Sequence, residues 1–188
     1  MTFDPDRHHR RSIRLRGYDY SRAGLYFVTF VIHDRYCLFG NIENGNMELN
    51  DAGCMIEHIR KSLPVSYHGI DIDVYQIMPN HFHGIIVIVG AGPCACPYLI
   101  PETGQPQGVA STMALPDVVH CFKSMTTKCY SDGVKRSNWQ PFAGKLWQRN
   151  YYEHIIRNKD DLKRIREYII SNPVHWDEDE ENPYNIPH

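Results

Sequence analysis

The chain has no long apolar run. Its longest, Gly84 to Val89 with its flanks, falls far short of the roughly 20 residues that a membrane helix needs. The opening stretch "MTFDPDRHHRRSIRLRG" contains no apolar core of a secretion signal. No membrane attachment is expected, and the cytoplasm is the expected compartment. Paired cysteine motifs are also missing. Of the six cysteines, Cys37, Cys54, Cys121 and Cys129 are scattered, and Cys94 and Cys96 form a lone CxC, which suits neither a disulfide scaffold nor a four-cysteine zinc site. Reduced thiols without a chemical role are expected. There is no internal repeat, and the formal net charge is only −2.

What is present fits one well-cored domain: 188 residues with 42% hydrophobic and 22% charged content. The small net charge hides an uneven distribution. Arg7, Arg10, Arg11, Arg14 and Arg16 make the start basic, while "DEDEE" from Asp177 to Glu181 makes the end acidic. Such asymmetry permits a polyanionic partner, although a basic arm is as often a solvated tail. Three segments result: a basic arm over 1–23, a domain over 24–176, and an acidic tail over 177–188, which is read as a solvated end or a cover for a basic cleft.

Within the domain, "GLYFVTFVIH" (24–33) is aromatic and β-branched and predicts a buried strand. "LFGNIENGNMELN" predicts a hairpin about Asn44-Gly45. "NDAGCMIEHIRKSL" places Met55, Ile56, Ile59 and Leu63 at helical spacing, closed by Pro64. Two neighbouring antiparallel strands follow, over 70–77 and from His81 to about Val89. Residues 91–116 are rich in Gly, Pro, Ser and Thr and read as a long loop. A helix starts at Pro116 and Asp117, a strand runs from Leu146 to about Ile155, and a last helix begins after Asn158 as its cap and ends at Pro173. Helices mixed with mostly antiparallel strands predict an α+β, ferredoxin-like sandwich with helices packed on a central sheet.

"MPNHFHGIIVIV" (78–89) places two histidines at the head of an apolar strand. Residues two apart share a strand face, so His81 and His83 would project together while Phe82 enters the other face. That arrangement suits a shared cation, although on the pair alone two strand-end histidines bonded to backbone or water are the commoner case. In "REYIISNP", Tyr168 and Asn172 lie four apart on one helical face. They are a candidate nucleophile and a candidate oxygen ligand, against the packing and capping roles such residues usually have. Tyr151 and Tyr152 are rival nucleophiles on chemistry alone.

"MPNHFHGIIVIV", "LWQRNYYEHIIRN" and "REYIISNPVHW" in this order resemble the HUH single-tyrosine transposases, specifically the REP-associated tyrosine transposases of bacteria. The resemblance covers nearly the whole chain. It implies that His81, His83 and Asn172 hold a divalent ion, Mg²⁺ or Mn²⁺, and that Tyr168 attacks a DNA phosphate to give a 5′-phosphotyrosine and a free 3′-hydroxyl. It also implies a single-stranded DNA substrate beside a REP-like hairpin, a nucleoid-associated location, and a monomer or homodimer. Phosphate contacts are expected from Arg10, Arg11, Arg14 and Arg16 in the arm, and from Lys123, Lys128, Arg149 and Arg157 nearer the catalytic face. Trp147, Tyr151 and Tyr152 are candidate base-stacking rings, although strand aromatics are more often core. Two other readings stand beside this one: a domesticated DNA-binding protein that does not cleave, and a metal phosphodiesterase that uses activated water.

Overall fold

The computed structural model describes residues 17–89 and 113–185. Strand β1 (Gly24–Val31) is followed by a small hairpin of β2 (Gly40–Glu43) and β3 (Asn46–Leu49), then helix α1 (Asp51–Ser66). Strands β4 (Ile70–Ile77) and β5 (His81–Ile88) come next, then α2 (Leu115–Ser137), β6 (Tyr152–Ile156) and α3 (Lys159–Ser171). The main sheet has the order β4-β5-β1-β6, with every neighbouring pair antiparallel. This is the α+β, ferredoxin-like sandwich expected from the sequence.

The sheet separates two apolar layers. Tyr26, Val28 and Phe30 of β1 and Phe82, Ile86 and Ile88 of β5 join Ile56, Ile59 and Leu63 of α1 and Val118, Val119 and Phe122 of α2. On the other face, Leu25 and Phe27 with Ile85 and Val87 meet Ile165 and Ile169 of α3. His81 and His83 share the alternation of Ile85 and Val87, so strand periodicity alone aims them at the α3 face. β5 is central and buried along its whole length, which makes it a rigid platform for that pair.

Local chemistry sets the element boundaries. Asn44 and Gly45 both have positive φ (51° and 74°), as a tight two-residue hairpin turn requires. The side chains of Asn50 and Asn158 cap α1 and α3 by accepting from the N–H groups of Gly53 (2.9 Å) and Asp161 (2.8 Å). Three expected boundaries move. Pro64 lies inside the last turn of α1, where its missing N–H removes one bond without stopping the helix at Ser66. α2 begins at Leu115, with the Asp117 carboxylate accepting from the Ala114 N–H. The strand expected from Leu146 starts only at Tyr152; Leu146 and Trp147 are buried in the core, and Trp147 makes a single bridge to Ile32. Their apolarity reflects packing and not a ladder.

Residues assigned to the two ends also take part in the domain. The rings of Tyr18 and Tyr20 pack on Tyr26, and the Tyr20 carbonyl accepts from the Leu115 N–H. Residues 172–178 and 183–185 form short 3-10 turns. No helix among the described residues is long and apolar enough to cross a membrane.

Gly53 is where α1 approaches the hairpin most closely. A Cβ there would overlap the Phe39 carbonyl oxygen and sit 2.8 Å from Leu49 Cδ2. Alanine is favoured over glycine in a helix by about 1 kcal/mol, but backbone cannot move aside as a flexible side chain can. Gly53→Ala should therefore lower the unfolding free energy by roughly 1–3 kcal/mol. Urea denaturation checks this, and a more stable variant would contradict the close approach.

Candidate active site

His81 and His83 lie side by side with ring centroids 4.4 Å apart, and both are almost fully buried. Each Nδ1 has a partner. Asn80 donates through Nδ2 to the carbonyls of Arg35 (3.0 Å) and Glu181 (2.7 Å), so its Oδ1 is the atom that faces His81 Nδ1 at 2.9 Å. An amide oxygen only accepts, so His81 carries its proton on Nδ1 and presents Nε2 as a bare lone pair. His83 Nδ1 meets the Thr29 hydroxyl at 2.8 Å, and its Nε2 likewise faces no partner.

The third group comes from the end of α3. Asn172 directs Nδ2 to Asp179 Oδ2 at 3.3 Å, and since a carboxylate only accepts, the amide oxygen must point the other way. That Oδ1 is buried without a partner, as are both histidine Nε2 atoms. Buried acceptors left unmet cost about 1–3 kcal/mol each. Three in one place are an observation that asks for a cation, and nitrogen and amide-oxygen donors suit a divalent metal.

Asp179 is the residue that sequence reading missed. One ligand atom each from His81, His83 and Asp179 lies within 4.8 Å of the others, and His81 Nε2 is 3.9 Å from Asp179 Oδ2. Residues 177–181 had read as a tail beyond the domain; instead Glu181 pairs with Arg35 at 2.6 Å and Asp179 turns in toward the histidines. Thr29 and Asn80 were also missed. A lone threonine inside "FVTFVI" and an asparagine directly before "HFH" were the available signals.

Tyr168 stands at the rim, about half exposed, with its ring centroid 5.3 Å from His83 and 6.0 Å from Phe27. The same chain thus supplies both tyrosine and histidines. Burial, followed by the negative charges of Asp179 and Glu180, raises the phenol above its usual range, while the Asn172 side chain lowers it. Tyr152 pairs with Thr29 across β1 and β6 and stands on the same sheet face, 5.9 Å from Phe27. Tyr151 packs edge-on to Phe30 in the opposite layer, and Trp147 donates its Nε1–H to Thr126 Oγ1 in the core, so neither ring is free to stack on a base.

The expected phosphate contacts are dispersed. Arg10, Arg11, Arg14 and Arg16 lie outside the described residues. Lys123 and Lys128 belong to α2, on the face away from the histidines. Lys123 turns inward, its Nζ donating to the carbonyls of Gln148 (3.0 Å) and Asn150 (3.1 Å), and burial lowers it to about 8. Arg157 follows Ile156, which pairs with Leu25 at the far end of β1 from His81. At the rise of an antiparallel strand that is about 20 Å from the pair. Arg149 is exposed beside the turn at Arg35, near the site.

No family model matches the chain. A Haemophilus influenzae protein described as uncharacterized is 41% identical over 176 residues, covering 92% of this chain and 93% of that protein. A second H. influenzae protein, named "Putative REP-associated tyrosine transposase", is 22% identical over 158 residues, 83% of this chain and 73% of that protein. Among solved structures, a REP-associated tyrosine transposase bound to a REP hairpin is similar with a TM-score of 0.54 and 20% identity, over 86% of this chain and 72% of the other. The fold is therefore that of a tyrosine transposase domain, with paired histidines on the central strand and a tyrosine on the last helix. At the level of fold the chain is thus similar to a REP-associated tyrosine transposase.

Burial holds His81 below the usual histidine range, against the opposing pull of Asp179, Glu181 and Asn172; burial and then His81 hold His83 well below it. With folded values beneath the ordinary 6.5, the unfolded chain binds protons that the folded one refuses. Stability of metal-free protein should thus be unaffected by these groups above that pH and fall as pH drops below it. In urea unfolding between about pH 7 and about pH 5, the His81→Gln/His83→Gln variant should lose less stability than wild type. An equal loss would mean that other groups carry the acid sensitivity.

Proposed function

We propose that this protein cleaves and rejoins single-stranded DNA beside a hairpin by transesterification through Tyr168. The observation that carries this is the convergence of three buried, unpartnered acceptors, His81 Nε2, His83 Nε2 and Asn172 Oδ1, beside an accessible phenol. A divalent cation, Mg²⁺ or Mn²⁺, fits this donor set with Asp179 as an added hard oxygen, and when bound would polarise a phosphate and offset the charge that develops on it.

The chain's own residues do the rest. Tyr168 Oη forms a bond to phosphorus as the bond from phosphorus to the 3′-oxygen breaks, and the phenol proton ends on the released 3′-hydroxyl. One phosphodiester replaces another, so the step is nearly balanced in energy and runs backward without a nucleotide cofactor. Asn80 keeps His81 in one tautomer and orientation, Thr29 holds the orientation of His83, and Phe27 walls the tyrosine ring. Packing of α3 on Ile85 and Val87 fixes the height of Tyr168 above the pair. The solved relative is described as bound to a REP hairpin, which makes hairpin DNA the natural first substrate.

Incubation with labelled hairpin DNA carrying single-stranded flanks, with Mn²⁺, should give a protein–DNA adduct that survives denaturation. Tyr168→Phe should abolish it. An adduct unchanged in that variant would remove Tyr168 from the reaction. Cleavage without any adduct would favour activated water, and tight binding with neither product would favour a DNA-binding protein.

The orienting bond to His83 gives a separate test. Thr29→Val keeps the shape of the side chain and removes the hydroxyl, and should weaken Mn²⁺ or Co²⁺ binding roughly 10–100-fold. Calorimetric titration measures it, with the unfolding curve as a control on the fold. Unaltered affinity would show that Thr29 does not orient the ligand.

A further inference from the structure

A cavity of about 350 Å³ opens at the turn that follows β1, lined by His33, Asp34, Arg35, Lys145, Gln148 and Arg149. Its volume is at the small end of the roughly 300–1,000 Å³ range of ligand sites, room for one nucleotide and too little for a duplex. Three of its six residues are permanent cations. Lys145 and Arg149 have no ion-pair partner among the described residues, and Arg35 is held only through Nε, to Glu181. Asp34 lies 3.3 Å from His33 within the wall.

The backbone here is strained. Asp34 and Arg35 both adopt left-handed φ values, 61° and 56°. Aspartate enters this region at modest cost, but arginine gains nothing local from it, and a strained pair persists only where its surroundings hold it. The Arg35 carbonyl accepts from Asn80 Nδ2, the N–H of His33 donates to the Leu146 carbonyl, and that of Gln148 to the Val31 carbonyl. The two walls are thus stitched to the end of β1. Asn80 is also the residue that orients His81, so one side chain links the wall of the cavity to the histidine pair.

We infer that this cavity holds one nucleotide of single-stranded DNA next to the scissile phosphate, with Arg35, Lys145 and Arg149 on its phosphates and Gln148 at its base edge. The cations on both walls match the doubly flanked charge of a phosphodiester unit. A carboxamide offers the donor and acceptor together that base edges require, and Gln148 is anchored through Nε2 to the Ile32 carbonyl at 3.5 Å. The strain at Asp34 and Arg35 sets the direction of the arginine before DNA arrives. This inference rests on the proposed DNA substrate and names the subsite that fixes its register.

The test is a binding measurement in chelator on the Tyr168→Phe protein, so that no cleavage occurs. The probe is a fluorescein-labelled DNA hairpin with thymidine arms on both sides, compared with the same hairpin without arms. The starting protein should favour the armed hairpin. Adding Lys145→Ala and Arg149→Ala, both at exposed side chains, should abolish most of that preference and reduce the salt slope by about one for each lost phosphate contact. A neutral methylphosphonate at one arm position should weaken binding by the starting protein and leave the doubly substituted one unaffected. Arms that add no affinity, a variant that keeps the preference, or a methylphosphonate effect spread evenly along the arms would each overturn the subsite. A failed adduct experiment leaves this binding result readable, and a negative result here leaves the adduct result standing. Unfolding curves for the variant guard against loss of fold.

Discussion

The hydrogen bond between Asn80 Oδ1 and His81 Nδ1 is the contact on which most of this molecule depends. It fixes which nitrogen of His81 carries the proton, and so which lone pair is left bare. Asn80 can present its oxygen there only because its nitrogen is occupied by two carbonyls, one from the left-handed turn at Arg35 and one from Glu181 near the end of the chain. Segments distant in sequence therefore meet at one amide. If either carbonyl moved, the amide could turn over, and the imidazole would lose its acceptor.

Charge is arranged around this point with similar economy. Burial first, then Asp179 and Glu181, raises the Tyr168 phenol; the same carboxylates draw His81 upward, yet burial of the imidazoles wins and both histidines are held below their usual range. A neutral imidazole is the form that ligates a cation, and a protonated phenol is the form from which the proposed reaction starts. Arg35 answers Glu181 at 2.6 Å, which keeps the acidic segment against the site and presents a cation at the neighbouring cavity. Arg166 ties α3 to Asp73 of β4 at 2.7 Å, locking the tyrosine helix to the sheet that carries the histidines.

Much of this could be read from residue order, and the rest could not, for a physical reason. Periodicity of two placed His81 and His83 on one face, an Asn-Gly pair located the hairpin, Asn158 marked the start of α3, and spacing of four joined Tyr168 to Asn172. All of these are local rules. What escaped were partners set by tertiary contact: Thr29 lies 54 positions from His83, and Asn80 reaches Glu181 across 101. "DEDEE" reads as solvated because its composition says nothing of where the chain folds back. Lys123 misled for the same reason, since a lysine on a helix is presumed exposed until two carbonyls and two aromatic rings are found around its ammonium.

The proposed chemistry and passive hairpin binding make different demands on the core. Binding to DNA phosphates needs exposed cations and costs the core nothing. Here the central strand of the sheet spends two buried positions on imidazoles whose Nε2 atoms have no partner, beside an amide oxygen in the same condition. Leucine or phenylalanine at those positions would pack on Phe27 and Trp176 without an unmet acceptor, a gain of a few kcal/mol at order of magnitude. A chain selected only to bind would have no use for that cost. Unmet acceptors that are oriented by dedicated neighbours and open toward an accessible phenol make sense when a cation and a phosphate complete them, and this is the physical ground for preferring chemistry over recognition alone.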